Sequence, residues 1–106
     1  MGILGLFKRT DIRERIKAYQ ATPGALLLDV RTPEEYAEGH LPGSVNLPLD
    51  RIETIAIAPS RPLFVYCRSG ARSAQACSIL KRRGYDARNI GGVLGYRGRL
   101  ERGTEE

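Results

Sequence analysis

Four short strand-like runs, two of them nearly continuously apolar, alternate with segments that begin and end like helices, and the links between them are short. The runs are "ALLLDV" (25–30), "SVNLP" (44–48), "LFVY" (63–66) and "DARNI" (86–90). A nearly continuous apolar run of this length predicts a strand covered on both faces. A helix is expected over 10–20, with Thr10 as cap and Ile12, Ile16 and Tyr19 on one face, stopped by Pro23 and Gly24. "TPEEYAEG" (32–39) reads as a second helix: Thr32 caps it, Pro33 takes the first helical position, and Glu35 returns the capping-box bond. Gly39 is its expected stop. Asp50 with Glu53 predicts a third helix, with Ile52, Ile55 and Ile57 inward, and residues 72–83 a fourth, ended by Gly84. Strands alternating with helices over short links predict one α/β domain with a mainly parallel sheet and helices on both faces. The core is expected over about 10–100, with a flexible, Gly-punctuated tail behind it.

The bulk properties fit this reading. At 106 residues the chain suits a single domain. Its 42% apolar and 27% charged residues argue for a folded core over disorder. The net charge is +5, but apart from "KRR" (81–83) the cations are spread along the chain and no nucleic-acid motif accompanies them. The excess reads as solvated surface and as a field that attracts small anions. Two cysteines are too few for a disulfide framework, so a reducing, cytoplasmic setting is expected. The apolar start "MGILGLFKR" is too short for a signal core or a membrane span. It reads as a first strand or a staple on the core, with a membrane-surface anchor as the lesser alternative.

The chemistry concentrates in "VYCRSGARS" (65–73). In parallel sheets the reactive groups sit at the carboxyl ends of the strands, and Cys67 closes "LFVY". After it come Arg68, Ser69, Gly70, Ala71, Arg72 and Ser73. Such a loop, running from a strand into a helix, can turn several backbone N–H groups toward one point, and Gly70 eases the turn. The unpaired N–H groups and dipole of the helix start complete an anion cradle. A thiolate there is stabilised against the thiol and becomes nucleophilic near neutral pH. Arg68 and Arg72 add positive charge and suit an anionic substrate. A buried structural cysteine is the competing reading, but two flanking cations do not suit it. Cys77 falls on the sheet-facing side of the following helix and reads as core. The single histidine, His40, reads as a structural hydrogen-bonder, and Asp29 with Arg31 as an ion pair or loop anchor. Two cysteines and one distant histidine supply no metal-ligand set.

At these residues the chain resembles the rhodanese family in its small single-domain form. The match rests on "LLDVRTPEEYAEGHLPGSVNLP" (27–48), "VYCRSGARS" (65–73), "ILKRRGY" (79–85) and "NIGGVLGY" (89–96). The resemblance implies a five-stranded parallel sheet flanked by helices. It also implies a thiosulfate sulfurtransferase-like enzyme: Cys67 takes a sulfane sulfur from a small anionic donor as a persulfide, then passes it to cyanide or to a thiol such as thioredoxin or glutathione. The backbone of residues 68–73 would cradle the persulfide, with Arg68 and Arg72 binding the donor. Asp29, Arg31 and His40 match framework positions. No cofactor, metal, nucleic acid or membrane span is implied, and small members are monomers or dimers. Related dual-specificity phosphatases have one more loop residue before their arginine and usually His before the cysteine; here Tyr66 precedes Cys67, and Ser73 stands where that arginine would be. A phosphatase or arsenate reductase is therefore the weaker enzyme reading. A non-catalytic binding module is the alternative from another class, disfavoured because Cys67 is present. Where many members carry Trp after the Gly-Gly tail, this chain has Tyr96.

Overall fold

The computed structural model describes residues 11–103. The elements are α1 (Ile12–Gln20), β1 (Leu26–Asp29), α2 (Pro33–Glu38), β2 (Val45–Asn46), a 3-10 helix (Leu49–Thr54), β3 (Leu63–Cys67), α3 (Ala71–Arg82) and β4 (Ala87–Gly92). All strand pairs are parallel, in the order β2-β1-β3-β4.

Side-chain alternation in the two central strands builds two cores. Leu28 and Val30 of the β1 segment, with Leu63, Val65 and Cys67 of β3, face α3 and the 3-10 helix, and meet Ala76, Cys77, Leu80 and Ile52. Leu27, Phe64 and Tyr66 point to the opposite face, where Ile12, Ile16 and Tyr19 of α1 cover them. Every residue of β3 is buried. The central strands are thus apolar on both sides, as their sequences require.

Several boundaries depart from the sequence expectations. The resemblance implies five strands, but the sheet has four among the described residues. After β4 the N–H groups of Val93 and Leu94 donate to Cys67 O and Arg68 O; the chain then turns, with Tyr96 N–H donating to Val93 O, and among the described residues forms no further strand. It comes back to the domain through an antiparallel bridge between His40 and Glu101. The apolar start proposed as a first strand lies outside the described residues, as does Thr10. The observed N-cap of α1 is Asp11, whose carboxylate accepts from Arg13 N–H at 3.0 Å. Asp50 caps nothing: residues 49–54 form a 3-10 helix with Pro48 at the cap position and no side-chain cap. The equally short α2 has a capping box at its start; residues 49–54 have no side-chain cap and take the tighter i→i+3 pattern. The Thr32–Glu35 capping box forms as its sequence predicts, with Pro33 inside it.

The carboxyl end of β1 is tied down by a buried ion pair. Asp29 accepts from Arg31 Nε at 3.0 Å and Nη2 at 2.6 Å, and from the Arg31 backbone N–H at 2.8 Å. The same Nη2 donates to Gly39 O, and the guanidinium lies 5.6 Å from the Tyr66 ring centroid. Tyr66 Oη accepts from Leu41 N–H at 3.0 Å and pairs with Ser44 Oγ. Burial, reinforced by the Asp29 charge, pushes this phenol far above its usual range, so it stays neutral. One charge cluster thus fastens the 31–44 connection to both central strands.

Asp29→Asn would leave the Arg31 charge buried without its counter-ion. A loss of roughly 3 kcal/mol in urea unfolding is expected, with an unchanged denaturant slope.

Candidate active site

Cys67 ends β3 with no exposed surface. Three residues later the chain reverses into α3, and Gly70 makes the turn at φ 104°, in the left-handed region. The reversal brings Gly70 N–H to 3.0 Å and Ser73 N–H to 3.3 Å from Cys67 Sγ. The Ser73 hydroxyl stands 3.4 Å away on the same sulfur. Burial alone would raise this thiol. The Ser73 hydroxyl and the backbone N–H groups of Ser73, Gly70 and Ser69 outweigh that effect and hold it below its ordinary value.

Ser73 is itself fully buried, and its single proton has competing acceptors. Asn89 Oδ1 is the nearest at 2.7 Å, with Gly70 O at 3.0 Å. While Cys67 is a thiol, its S–H can donate to Ser73 Oγ; toward the thiolate the hydroxyl must donate. Asn89 is a site residue that the sequence reading did not single out. Its amide Nδ2 donates to Gly70 O at 3.2 Å, and its Oδ1 also accepts from Gly91 N–H at 2.9 Å. It therefore holds the loop at the two residues that reach the sulfur. It reaches inward because the β3–β4 register shifts there: Val65 pairs with Asn89, but Tyr66 pairs with Gly91. Gly92 is required by contact. A side chain on it would collide with the Arg68 carbonyl and come within 2.6 Å of Ser69 N.

The two loop arginines occupy different environments. Arg68 is exposed and forms no ion pair among the described residues. Arg72 is clamped by Glu35, Nη1 to Oε1 at 2.7 Å and Nη2 to Oε2 at 3.0 Å. The Arg72 hydrogen bonds, with the Thr32 backbone N–H, bring the Glu35 carboxyl down to about 2 against its desolvation. Glu35 thus serves two ends, closing the cap of α2 and fixing the start of α3. Of the remaining loop residues, Ser69 Oγ accepts from Ala71 N–H at 3.4 Å.

Asp29, Arg31 and His40 do not touch the sulfur. The first two form the buried pair already described. His40 stacks on Tyr36 with ring centroids 3.7 Å apart, and its Nδ1 donates to Tyr36 O at 2.7 Å. Cys77 is buried against the same core as Cys67 but has no polar donor on its sulfur among the described residues, and burial pushes it up to about 11. No helix among the described residues is long and apolar enough to cross a membrane.

A family model described as a rhodanese-like domain matches residues 10–98. The chain is 44% identical over 79 residues to a sulfurtransferase of Allochromatium vinosum, covering 73% of this chain and 69% of the other. It is 39% identical over 71 residues to the thiosulfate sulfurtransferase PspE of Escherichia coli, covering 62% and 68%. Among solved structures, a rhodanese with anions from E. coli superposes with a TM-score of 0.66 at 33% identity, over 74% of this chain and 99% of that one. A rhodanese-like domain protein of Staphylococcus aureus superposes with a TM-score of 0.75 at 28% identity, over 88% and 95%.

Two outcomes are expected from these contacts. Ser73→Ala removes the side-chain donor that most lowers the Cys67 pKa, so the pH midpoint of Cys67 alkylation by iodoacetamide should rise relative to the parent. Glu35→Gln keeps a capping-box residue but loses the charge on Arg72. Glu35 is depressed in the folded state, so its contribution is complete above pH 4.5 and disappears as pH falls toward 2. Thermal melts should therefore show the variant less stable than the parent at pH 7, with the difference closing across that window.

Proposed function

The chain belongs to the rhodanese-like family, and from that premise we propose that it is a sulfurtransferase carrying the transferred sulfur as a persulfide on Cys67. The observation that carries the reading is the Cys67 sulfur itself: it sits at the carboxyl end of the central strand, with Gly70 N–H, Ser73 N–H and the Ser73 hydroxyl converging on it. These groups favour a thiolate without any general base.

With thiosulfate as donor, the Cys67 thiolate attacks the outer sulfur. The Cys67 S–S bond forms, the S–S bond of thiosulfate breaks, and sulfite leaves with the bonding pair. The negative charge then resides on the terminal sulfur of the persulfide, one atom farther along the ring of N–H groups. An acceptor thiolate, or cyanide, attacks that terminal sulfur. The Cys67 S–S bond breaks, Cys67 returns as the thiolate, and the product is a new persulfide or thiocyanate. Arg68, with no ion pair of its own among the described residues, is the loop cation that meets the sulfonate end of the donor. Arg72 contributes its field while its guanidinium stays on Glu35.

The test is intact-mass measurement of the reduced protein after incubation with thiosulfate, beside Cys67→Ser. The parent is expected to gain one sulfur atom and lose it on adding cyanide, and the variant to gain none. Absence of the gain with both thiosulfate and a small-molecule persulfide donor would overturn the proposal.

A further inference from the structure

The Ser73 hydroxyl stands between two claimants for its one proton. On one side is Cys67 Sγ at 3.4 Å, and on the other Asn89 Oδ1 at 2.7 Å. Gly70 O, at 3.0 Å, is a weaker claimant, because it already accepts from Ala74 N–H at 3.1 Å and from Asn89 Nδ2 at 3.2 Å. The Asn89 amide cannot follow the hydroxyl. Its Nδ2 is engaged with Gly70 O and its Oδ1 accepts from Gly91 N–H at 2.9 Å, so a flip would set donor against donor and acceptor against acceptor. Only the hydroxyl rotates. When it turns away, Oδ1 keeps the Gly91 bond and is not left bare.

The state of the sulfur decides which way it turns. A Cys67 thiol donates its S–H to Ser73 Oγ, and the Ser73 proton rests on Asn89, which completes a chain of donors. A thiolate has no proton to give. With the hydroxyl still on Asn89, the lone pairs of Oγ would face the anion, so ionisation requires the proton to leave Asn89 for sulfur. Loading reverses the turn. The thiolate attacks the outer sulfur of thiosulfate, sulfite leaves with the bonding pair, and Sγ becomes a neutral divalent sulfur whose charge has moved to the terminal atom. Neutral sulfur is a weak acceptor, and the proton returns to Asn89. We infer that Asn89 is a positioning residue for sulfur transfer: it takes the Ser73 proton in the thiol and in the persulfide, yields it in the thiolate, and so biases Cys67 toward the loaded state. The persulfide half of this role rests on the sulfurtransferase reading, and the thiol half on the contacts alone. The amide thereby works against the thiolate that the rest of the loop favours.

The test is a double-mutant cycle of Asn89→Ala and Ser73→Ala, read at Cys67 itself. The first readout is the pH midpoint of alkylation by iodoacetamide. Removing the amide frees the hydroxyl for the thiolate, so the midpoint should fall in Asn89→Ala. A loop merely loosened would lose converging N–H groups, and the midpoint would rise. In the Ser73→Ala background there is no proton to release, and Asn89→Ala should leave the midpoint where it is. The second readout is the loaded fraction by intact mass at fixed thiosulfate and sulfite, at a pH above every midpoint. Asn89→Ala should shift that equilibrium toward the free thiolate about fivefold, and not at all once the Ser73 hydroxyl is gone. A midpoint that does not fall, an unchanged loaded fraction, or equal shifts with and without Ser73 overturns the inference. If thermal melting shows Asn89→Ala to be unfolded, Asn89→Leu, which fills the same space without an acceptor, is read in its place. If no persulfide forms from thiosulfate, the proposed function fails and the persulfide half falls with it, while the alkylation cycle still decides whether Asn89 holds the proton beside the thiol.

Discussion

A sulfur with no exposed surface can be held as an anion only if the protein itself replaces the water it has lost. That requirement organises the structure around Cys67. The replacements are backbone N–H groups, and they converge only because the chain reverses from β3 into α3 within three residues. The reversal needs the left-handed geometry of Gly70. The reversed loop then presses on the neighbouring strand, where only a residue without a side chain fits against Arg68 and Ser69, and Gly92 fills that position. The register shift just before it turns Asn89 inward to grip Gly70 and Ser73. A demand made by one atom thus fixes the geometry of two strands and a helix.

The arginines show how a chain of net charge +5 divides its cations between framework and ligand. Arg31 is buried on Asp29 and Gly39 O and can reach no ligand without abandoning both. Arg72 lies nearer the surface, but both of its terminal nitrogens are committed to Glu35, itself anchored by the Thr32 cap. Arg68, Arg15 and Arg97 have no such carboxylate. Of the two loop arginines, Arg72 is therefore already matched by a carboxylate, and Arg68 is the one whose charge among the described residues is open to an anion from solution.

Much of this was legible in the sequence where the causes are local. The capping box from Thr32 to Glu35 forms within four residues, and the apolar runs of the two central strands needed only to be counted. The position of Cys67 at a strand end and the glycine that turns the loop followed from the same reading. What escaped has long-range causes. The second role of Glu35, holding Arg72 across 37 positions, has no mark in its helix-start motif. Asn89 looked like an ordinary strand residue because the register shift that turns it inward is a property of two strands together. The segment around Asp50 carries an α-helix signature, yet six residues after Pro48 close as a 3-10 helix. The resemblance implied a fifth strand, while the described residues place a turn and a single bridge after β4.

The two cysteines act as each other's control. Both are buried, and both belong to the core between β3 and α3. Burial pushes each thiol upward, and by that effect alone both would be inert. Cys77, midway along α3, has backbone N–H groups around it that are already spent on the helix's own carbonyls, and its pKa stays high. Cys67, before the first turn of the same helix, faces N–H groups that have no helical carbonyl to receive them. The difference between the two thiols is thus ten residues along one chain, from a position where the backbone's donors are used to one where they are free. Exposure plays no part in that difference, since both sulfurs are buried. What sets the Cys67 sulfur apart is the Ser73 hydroxyl together with the unfinished hydrogen bonding of the helix start, which the sulfur completes.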